Sequence, residues 1–170
     1  MIKASNVQSH MKINNIDFEP CDFTNADHCA ALCALEEVYM RDPMGGGTPH
    51  TDRQKLRLLD GIESHPRAVT LFVTEDEQIA GLAVAFINFS TFYAKPMMNL
   101  HDIIIRPEFR GHGLGKLLLK KMEEIARQKG CAKITLEVRE DNALAQKIYA
   151  AEGYGDTQPR MLFKTKILTE

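Results

Sequence analysis

The 170-residue sequence predicts one α/β domain, spanning residues 1–170 and built on a mixed sheet. Three observations predict it. Apolar runs of strand length alternate with longer stretches of helical period. The stretch "IIIRPEFRGHGLGKLLLKKMEEIARQKG" passes from an apolar strand through alternate glycines into an amphipathic helix. No repeat, low-complexity tract or internal linker interrupts the chain.

The elements follow in order. "KINNIDFEPCD" places Ile13, Ile16 and Phe18 in loose alternation and reads as a first strand ending at Pro20. A helix capped by Asn25 or Asp27 follows, with Cys29, Leu32, Cys33, Val38 and Met40 as its apolar positions. After the flexible "PMGGGTPH", Thr51 caps a second helix carrying Leu56, Leu59 and Ile62 at helical spacing. "AVTLFVTEDEQIAGLAVAFINFS" reads as two strands joined by an acidic turn around Glu75 to Gln78, and "NLHDIIIRP" as a third strand closed by Pro107. The helix from near Gly113 carries Leu114, Leu117, Leu118, Met122, Ile125 and Ala126 on one face, is expected to pack on the sheet and stops at Gly130. Residues 132–138 alternate as another strand, and "NALAQKIYAAEG" is a helix capped by Asn142 and stopped by Gly153. "YGDTQPRMLFKTKIL" is expected to add one or two closing strands.

A formal net charge of −2 and a pI near 6.3 lack the basic footprint of a nucleic-acid binder, so no nucleic-acid partner is expected. No apolar run reaches the roughly 18–20 residues of a membrane span, and "MIKASNVQSHMK" lacks the apolar core of a signal peptide. A cytoplasmic chain without a membrane partner is expected. Cys21, Cys29, Cys33 and Cys131 are scattered, two of them in an alanine-rich helix, as small buried hydrophobes would be; no metal is expected. His10, His28, His50 and His65 form no triad by spacing, and there is no serine or cysteine elbow.

Glycine in a helix costs about 0.5–1 kcal/mol relative to alanine, so Gly111, Gly113 and Gly115 at a helix start point to something that approaches the backbone closely. Converging N–H groups and the positive end of the helix dipole suit a diphosphate. Two known cradles fail on spacing. The P-loop pattern is one residue too long and needs a hydroxyl where Leu117 stands; the dinucleotide fingerprint would need a third glycine at Lys116.

"RGHGLG", Arg110 to Gly115, is similar to the R/Q-x-x-G-x-G/A signature of the GNAT N-acetyltransferases, which bind acetyl-CoA. A second segment matches as well: Asn142, Ala145, Tyr149, Gly153 and Tyr154 stand in the pattern N-x-x-A-x-x-x-Y-x-x-x-G-[FY]. The resemblance runs from about Val69 to Tyr154, and "FSTFYAKPMMNLHDIIIRPEFRG" resembles the spermidine/spermine and diamine acetyltransferase branch. It implies a GNAT fold: a mostly antiparallel sheet of about six or seven strands with a central splay, flanked by about four helices. It also implies that the backbone of Ile103, Ile104 and Ile105 pairs with the pantetheine arm. Arg110, Gly111, His112, Gly113, Leu114, Gly115 and Lys116 would bind the diphosphate, with Asn142, Ala145 and Tyr149 completing the cofactor site. A backbone donor in the splay can polarise the thioester carbonyl, a contribution of about 2.7–4 kcal/mol in acyl transfer. His112 is expected to engage through its N–H, with its ring toward solvent. Arg110 and Lys116 are expected either to lend charge near the phosphates or to be solvated.

Acetylating an amine takes a neutral nucleophile, a polarised carbonyl and a protonated leaving sulfur. A tyrosine hydroxyl, ordinarily titrating near 10, is protonated at neutral pH, and Tyr149 lies one helical turn after Ala145; its alternative is to close the core beside Ile148. The polyamine branch carries a glutamate in L-E-D where this chain has Leu100, His101, Asp102. A histidine there can still accept a proton, and Glu137 is the alternative base. Strict alternation would put His101 on the face of Ile103 and Ile105, with Asp102 opposite. Glu36, Glu37 and Asp42 could hold an amine's charge or form a solvated face. The acceptor is expected to be a small-molecule or peptide amine, bounded by the first two helices and the glycine loop between them. A catalytically silent acyl-CoA sensor and a nucleotide-binding domain are the competing functions, and a homodimer is plausible through the final strands.

Overall fold

The computed structural model describes residues 15–168, so Ile13 and His10 lie outside the described residues. Strands β1 (Ile16–Pro20), β2 (Ala68–Glu75), β3 (Gln78–Ser90), β4 (Lys95–Ile105) and β5 (Ile134–Leu136) form one sheet in sequence order. Its neighbours are antiparallel except β4 and β5, which run parallel. Helices α1 (Ala26–Arg41), α2 (Asp52–Glu63) and α3 (Leu114–Gln128) belong with the sheet, and α4 (Ala143–Ala151) follows β5. The chain divides after Leu136 into two compact units.

Local chemistry sets each boundary. The Asn25 side chain accepts from the Asp27 and His28 N–H groups at the start of α1, and Thr51 and Gln54 close a reciprocal capping box on α2. The two-residue turn between β2 and β3 puts Asp76 at φ 49° and Glu77 at φ 65°, the left-handed pair that matches strand twist. Asn15 holds that turn from both sides: its N–H donates to Asp76 Oδ1 and its carbonyl accepts from the Asp76 N–H. β4 begins at Lys95, earlier than the apolar run alone suggests, because it pairs with β3 to the end of the hairpin.

Leu32 and Leu35 of α1 and Ile62 of α2 pack with Phe72, Leu82, Val84 and Ile104 on one sheet face. Leu32, Leu35, Phe72 and Leu82 are fully buried, each contributing about 1.5–3 kcal/mol by leaving water. α3 buries Leu114, Leu118, Leu119, Met122 and Ala126 against β3 and β4 on the other face. All four cysteines are free and half-buried, and burial pushes the Cys21 thiol up to about 12, as inert packing groups would be.

The sheet has five strands among the described residues rather than six or seven. Residues 154–168 form neither helix nor strand, and Met161, Leu162, Phe163, Ile167 and Leu168 are exposed. Apolar β-formers make a strand only when a ladder partner accepts them, and Gly155 and Pro159 interrupt this tail. For the same reason β5 pairs over Ile134–Leu136 alone, although the alternation runs over residues 132–138.

Candidate functional site

After β4 the chain makes a single 3₁₀ turn, Pro107–Phe109, and enters the glycine loop. Gly111 (φ 85°) and Gly113 (φ 82°) are left-handed, and a Cβ at either would meet nothing within 4 Å. The backbone conformation, not packing, demands glycine there, and the space beside it is open. The first intrahelical bond runs from Leu117 N–H to Gly113 O, so the N–H groups of Leu114 and Gly115 have no intrahelical acceptor. Open space, left-handed glycines and a helix start together fit a diphosphate. Lys116 stands exposed in the first turn of α3.

Two side chains fix this loop to the sheet unit. Arg110 Nε donates to Ile105 O at 3.0 Å and its Nη2 meets Asp42 Oδ2 at 3.1 Å. The guanidinium therefore braces the loop against the end of β4 and the C-cap of α1, rather than being spent only on charge for a phosphate. His112 Nδ1 lies 2.8 Å from Oε2 of the buried Glu75, at the end of β2. Its ring is thus tied to the sheet, not simply turned to solvent.

The edge of β4 is shaped by a bulge. Val84 pairs with Asp102 but Ala85 pairs with Leu100, which leaves His101 as the extra residue. The bulge breaks the alternation expected from sequence. His101 packs edge-on against Phe86, which lies with the α1–α2 core, and its Nδ1 sits 3.1 Å from Asp102 Oδ2. Both side chains therefore serve the α1 side of the sheet. Past the bulge, the Arg106 N–H donates to Ala80 O on β3, so alternation turns the backbone of Ile104 to β3 and that of Ile103 and Ile105 to the opposite edge. Ile104 is the core member of the run, 3% exposed. β5 pairing ends at Leu100, so Ile103 and Ile105 lie beyond the last β4–β5 pair.

The acidic residues of α1 take opposite roles. Hydrogen bonds from Arg41 and then Lys55 hold the Glu37 carboxyl below the usual range, and Asp42 is committed to Arg110 and the Met44 N–H. Glu36 is 6% exposed, and its Oε1 has no hydrogen-bond partner among the described residues. Burial, then the charge of Asp102, pushes its carboxyl up to about 8, with His101 acting the other way. Sequence reasoning undervalued Glu36, yet the signal was present: it extends the buried stripe of Leu32 and Leu35 at i+4 and i+1.

In the second unit, Asn142 caps α4 by accepting from the Ala145 N–H at 3.1 Å, and Tyr149 and Ala145 are half-buried on one face. The Tyr149 ring lies 6.0 Å from that of Tyr154, whose N–H donates to Tyr149 O. Glu137 follows β5 directly.

A five-stranded mixed sheet with a bulged β4 running into a glycine turn is a fold with close solved counterparts. A probable acetyltransferase matches 92% of this chain and 99% of its own at TM-score 0.76 and 21% identity. An aminoglycoside N-acetyltransferase solved in complex with CoA matches 90% and 95% at TM-score 0.71 and 22% identity. The acetyltransferase (GNAT) family model matches residues 32–154, and the chain belongs to that family. Thialysine N-epsilon-acetyltransferase of Bos taurus is 35% identical over 78 residues, 46% of this chain and 45% of that protein. The chain spans about half the length of the curated thialysine acetyltransferases it matches.

Proposed function

We propose that the chain is an acetyl-CoA-dependent N-acetyltransferase that acts by direct transfer on a primary amine of a small molecule. One observation carries it: the left-handed glycine turn, in residues that match the family signature, stands at the end of a β4 edge that turns Ile103 and Ile105 away from β3. Family membership and the names of relatives acting on thialysine and aminoglycosides support the same reading.

Acetyl-CoA, when bound, supplies an activated acetyl group. Gly111 to Lys116 would hold its diphosphate and Ile103 and Ile105 would align its arm; Asn142 and Ala145, in the second unit, stand in the second family segment, to which the resemblance gives a cofactor-binding role. His101, steadied by Asp102, accepts the proton that the amine sheds as its nitrogen bonds to the acetyl carbon. By the resemblance of its segment to the family pattern, Tyr149 would be the group that supplies a proton to the sulfur as the carbon–sulfur bond breaks, so that the acetylated amide and a thiol leave.

Calorimetric titration with acetyl-CoA, followed by thiol release across a panel of primary amines that includes thialysine, tests this. Binding and turnover are expected, and Tyr149→Phe should lower kcat by on the order of 10²-fold while CoA affinity holds. Absence of acetyl-CoA binding refutes the reading. Binding with no transfer to any amine converts the chain to an acyl-CoA sensor.

A further inference from the structure

We propose that Glu75 is a positioning residue for the cofactor: its buried carboxyl holds His112, and through it the turn between Gly111 and Gly113, in the conformation that grips a diphosphate. This rests on the reading above that the turn is the diphosphate site.

Packing does not hold the turn. Gly111 and Gly113 stand at φ 85° and 82°, and a Cβ at either would meet nothing within 4 Å, so neither glycine is wedged against the rest of the protein. Two such glycines left to themselves visit many conformations, and ordering them around an anion costs entropy. Arg110 braces the chain before Gly111, through Ile105 O and Asp42, and α3 takes over after Gly113. Between the two glycines stands His112. Its ring is edge-on to Phe109 with centroids 6.5 Å apart, and its Nδ1 is 2.8 Å from Glu75 Oε2.

The far end of that bond is fixed. Glu75 closes β2, paired with Ile16 of β1 on one side and Gln78 of β3 on the other. Its side chain is 6% exposed, against 44% for that of His112. The bond therefore carries the turn from the end of β4 across β3 to β2 and joins residues 37 apart in the chain. Hydrogen bonds to a charged group are among the stronger ones, and a loop ordered before its ligand arrives loses less freedom on binding. A carboxylate touching a diphosphate would repel it, so Glu75 serves the site through the ring and not by contact. It lies outside the Arg110–Gly115 segment, and no spacing in the sequence connects it to a cofactor.

Titrations with CoA, dephospho-CoA and pantetheine, on the natural chain and on Glu75→Ala, Glu75→Gln, His112→Ala and the double variant Glu75→Ala/His112→Ala, test this. Calorimetry serves the first two ligands, which carry the diphosphate, and chemical-shift titration serves pantetheine, which has the arm without it. Glu75→Ala and His112→Ala should each weaken CoA and dephospho-CoA by about 10-fold and leave pantetheine unchanged. The double variant should bind no more weakly than either single one, because both cut one tether. Glu75→Gln, whose amide oxygen still accepts from the ring, should keep most of the affinity. His112→Ala changes a loop residue and keeps the test decisive where Glu75→Ala fails to fold. Losses that add in the double variant, or that extend equally to pantetheine, overturn the proposal. CoA binding by the natural chain that is unchanged in His112→Ala overturns the proposal alone, whereas a natural chain that binds no CoA overturns the acetyltransferase reading as well.

Discussion

Glu36→Gln should make the protein more stable, and more so as pH rises. The Glu36 carboxyl, ordinarily at 4.5, is held at about 8 by burial and by Asp102. Because the folded value lies above the unfolded one, the native state keeps a proton that the unfolded chain has lost between these values, so stability falls as pH rises through that window. Integrating between the ordinary value and about 8 at 1.36 kcal/mol per tenfold change in proton activity gives a loss on the order of 1 kcal/mol at pH 5, 3 kcal/mol at pH 7 and 5 kcal/mol at pH 9. Glutamine has nothing to titrate and escapes the loss. For a chain of this length a gain of at most about 3 kcal/mol, less the cost of burying the glutamine amide without a partner, corresponds to a Tm rise of at most roughly 6–12 °C at pH 7. Urea unfolding at pH 5, 7 and 9 is the assay, since urea leaves electrostatics unscreened. A stability difference between variant and natural chain that stays constant across the three pH values would refute the placement of an unpartnered carboxyl in the α1 core.

Two further outcomes follow from backbone geometry. A Cβ at Gly81 of β3 would meet Ile104 O at 2.6 Å and Ile105 Cδ1 at 2.5 Å, so Gly81→Ala must shift β4 itself. A cost of about 1–3 kcal/mol and a Tm fall of at least about 2 °C are expected, with weaker CoA binding because the displaced strand carries Ile103 and Ile105; unchanged urea unfolding would contradict the packing. Gly113→Ala has room for its methyl but is forced to φ 82°, which costs about 1–2 kcal/mol if the turn is kept. CoA affinity measured by calorimetry should drop at least several-fold while the circular dichroism spectrum is retained, and an unaffected affinity would mean that the turn does not hold the diphosphate.

Local interactions between near neighbours determined what the sequence alone could show. The caps at Asn25, Thr51 and Asn142, the stops at Gly130 and Gly153, and the left-handed turn at Gly111 and Gly113 each act over a few residues, so spacing reveals them. The order of strands and helices as far as α4, the glycine turn and the family signature were legible for that reason. What pairing across the sheet decides was not. The bulge at His101 exists only because β3 and β4 slip by one residue, and it turns that side chain to the α1 side where strict alternation would have faced it away. The tail around Met161 has strand composition but pairs with no ladder among the described residues, because β-propensity is conditional on a neighbour. Glu36, one of two adjacent acids in the sequence, was separated from Glu37 by burial: helical period turns Glu37 to Arg41 and Lys55 and Glu36 into the core beside Asp102. Contacts between residues far apart in the chain set the dielectric and the partners of each carboxyl, and only the folded structure brings those residues together.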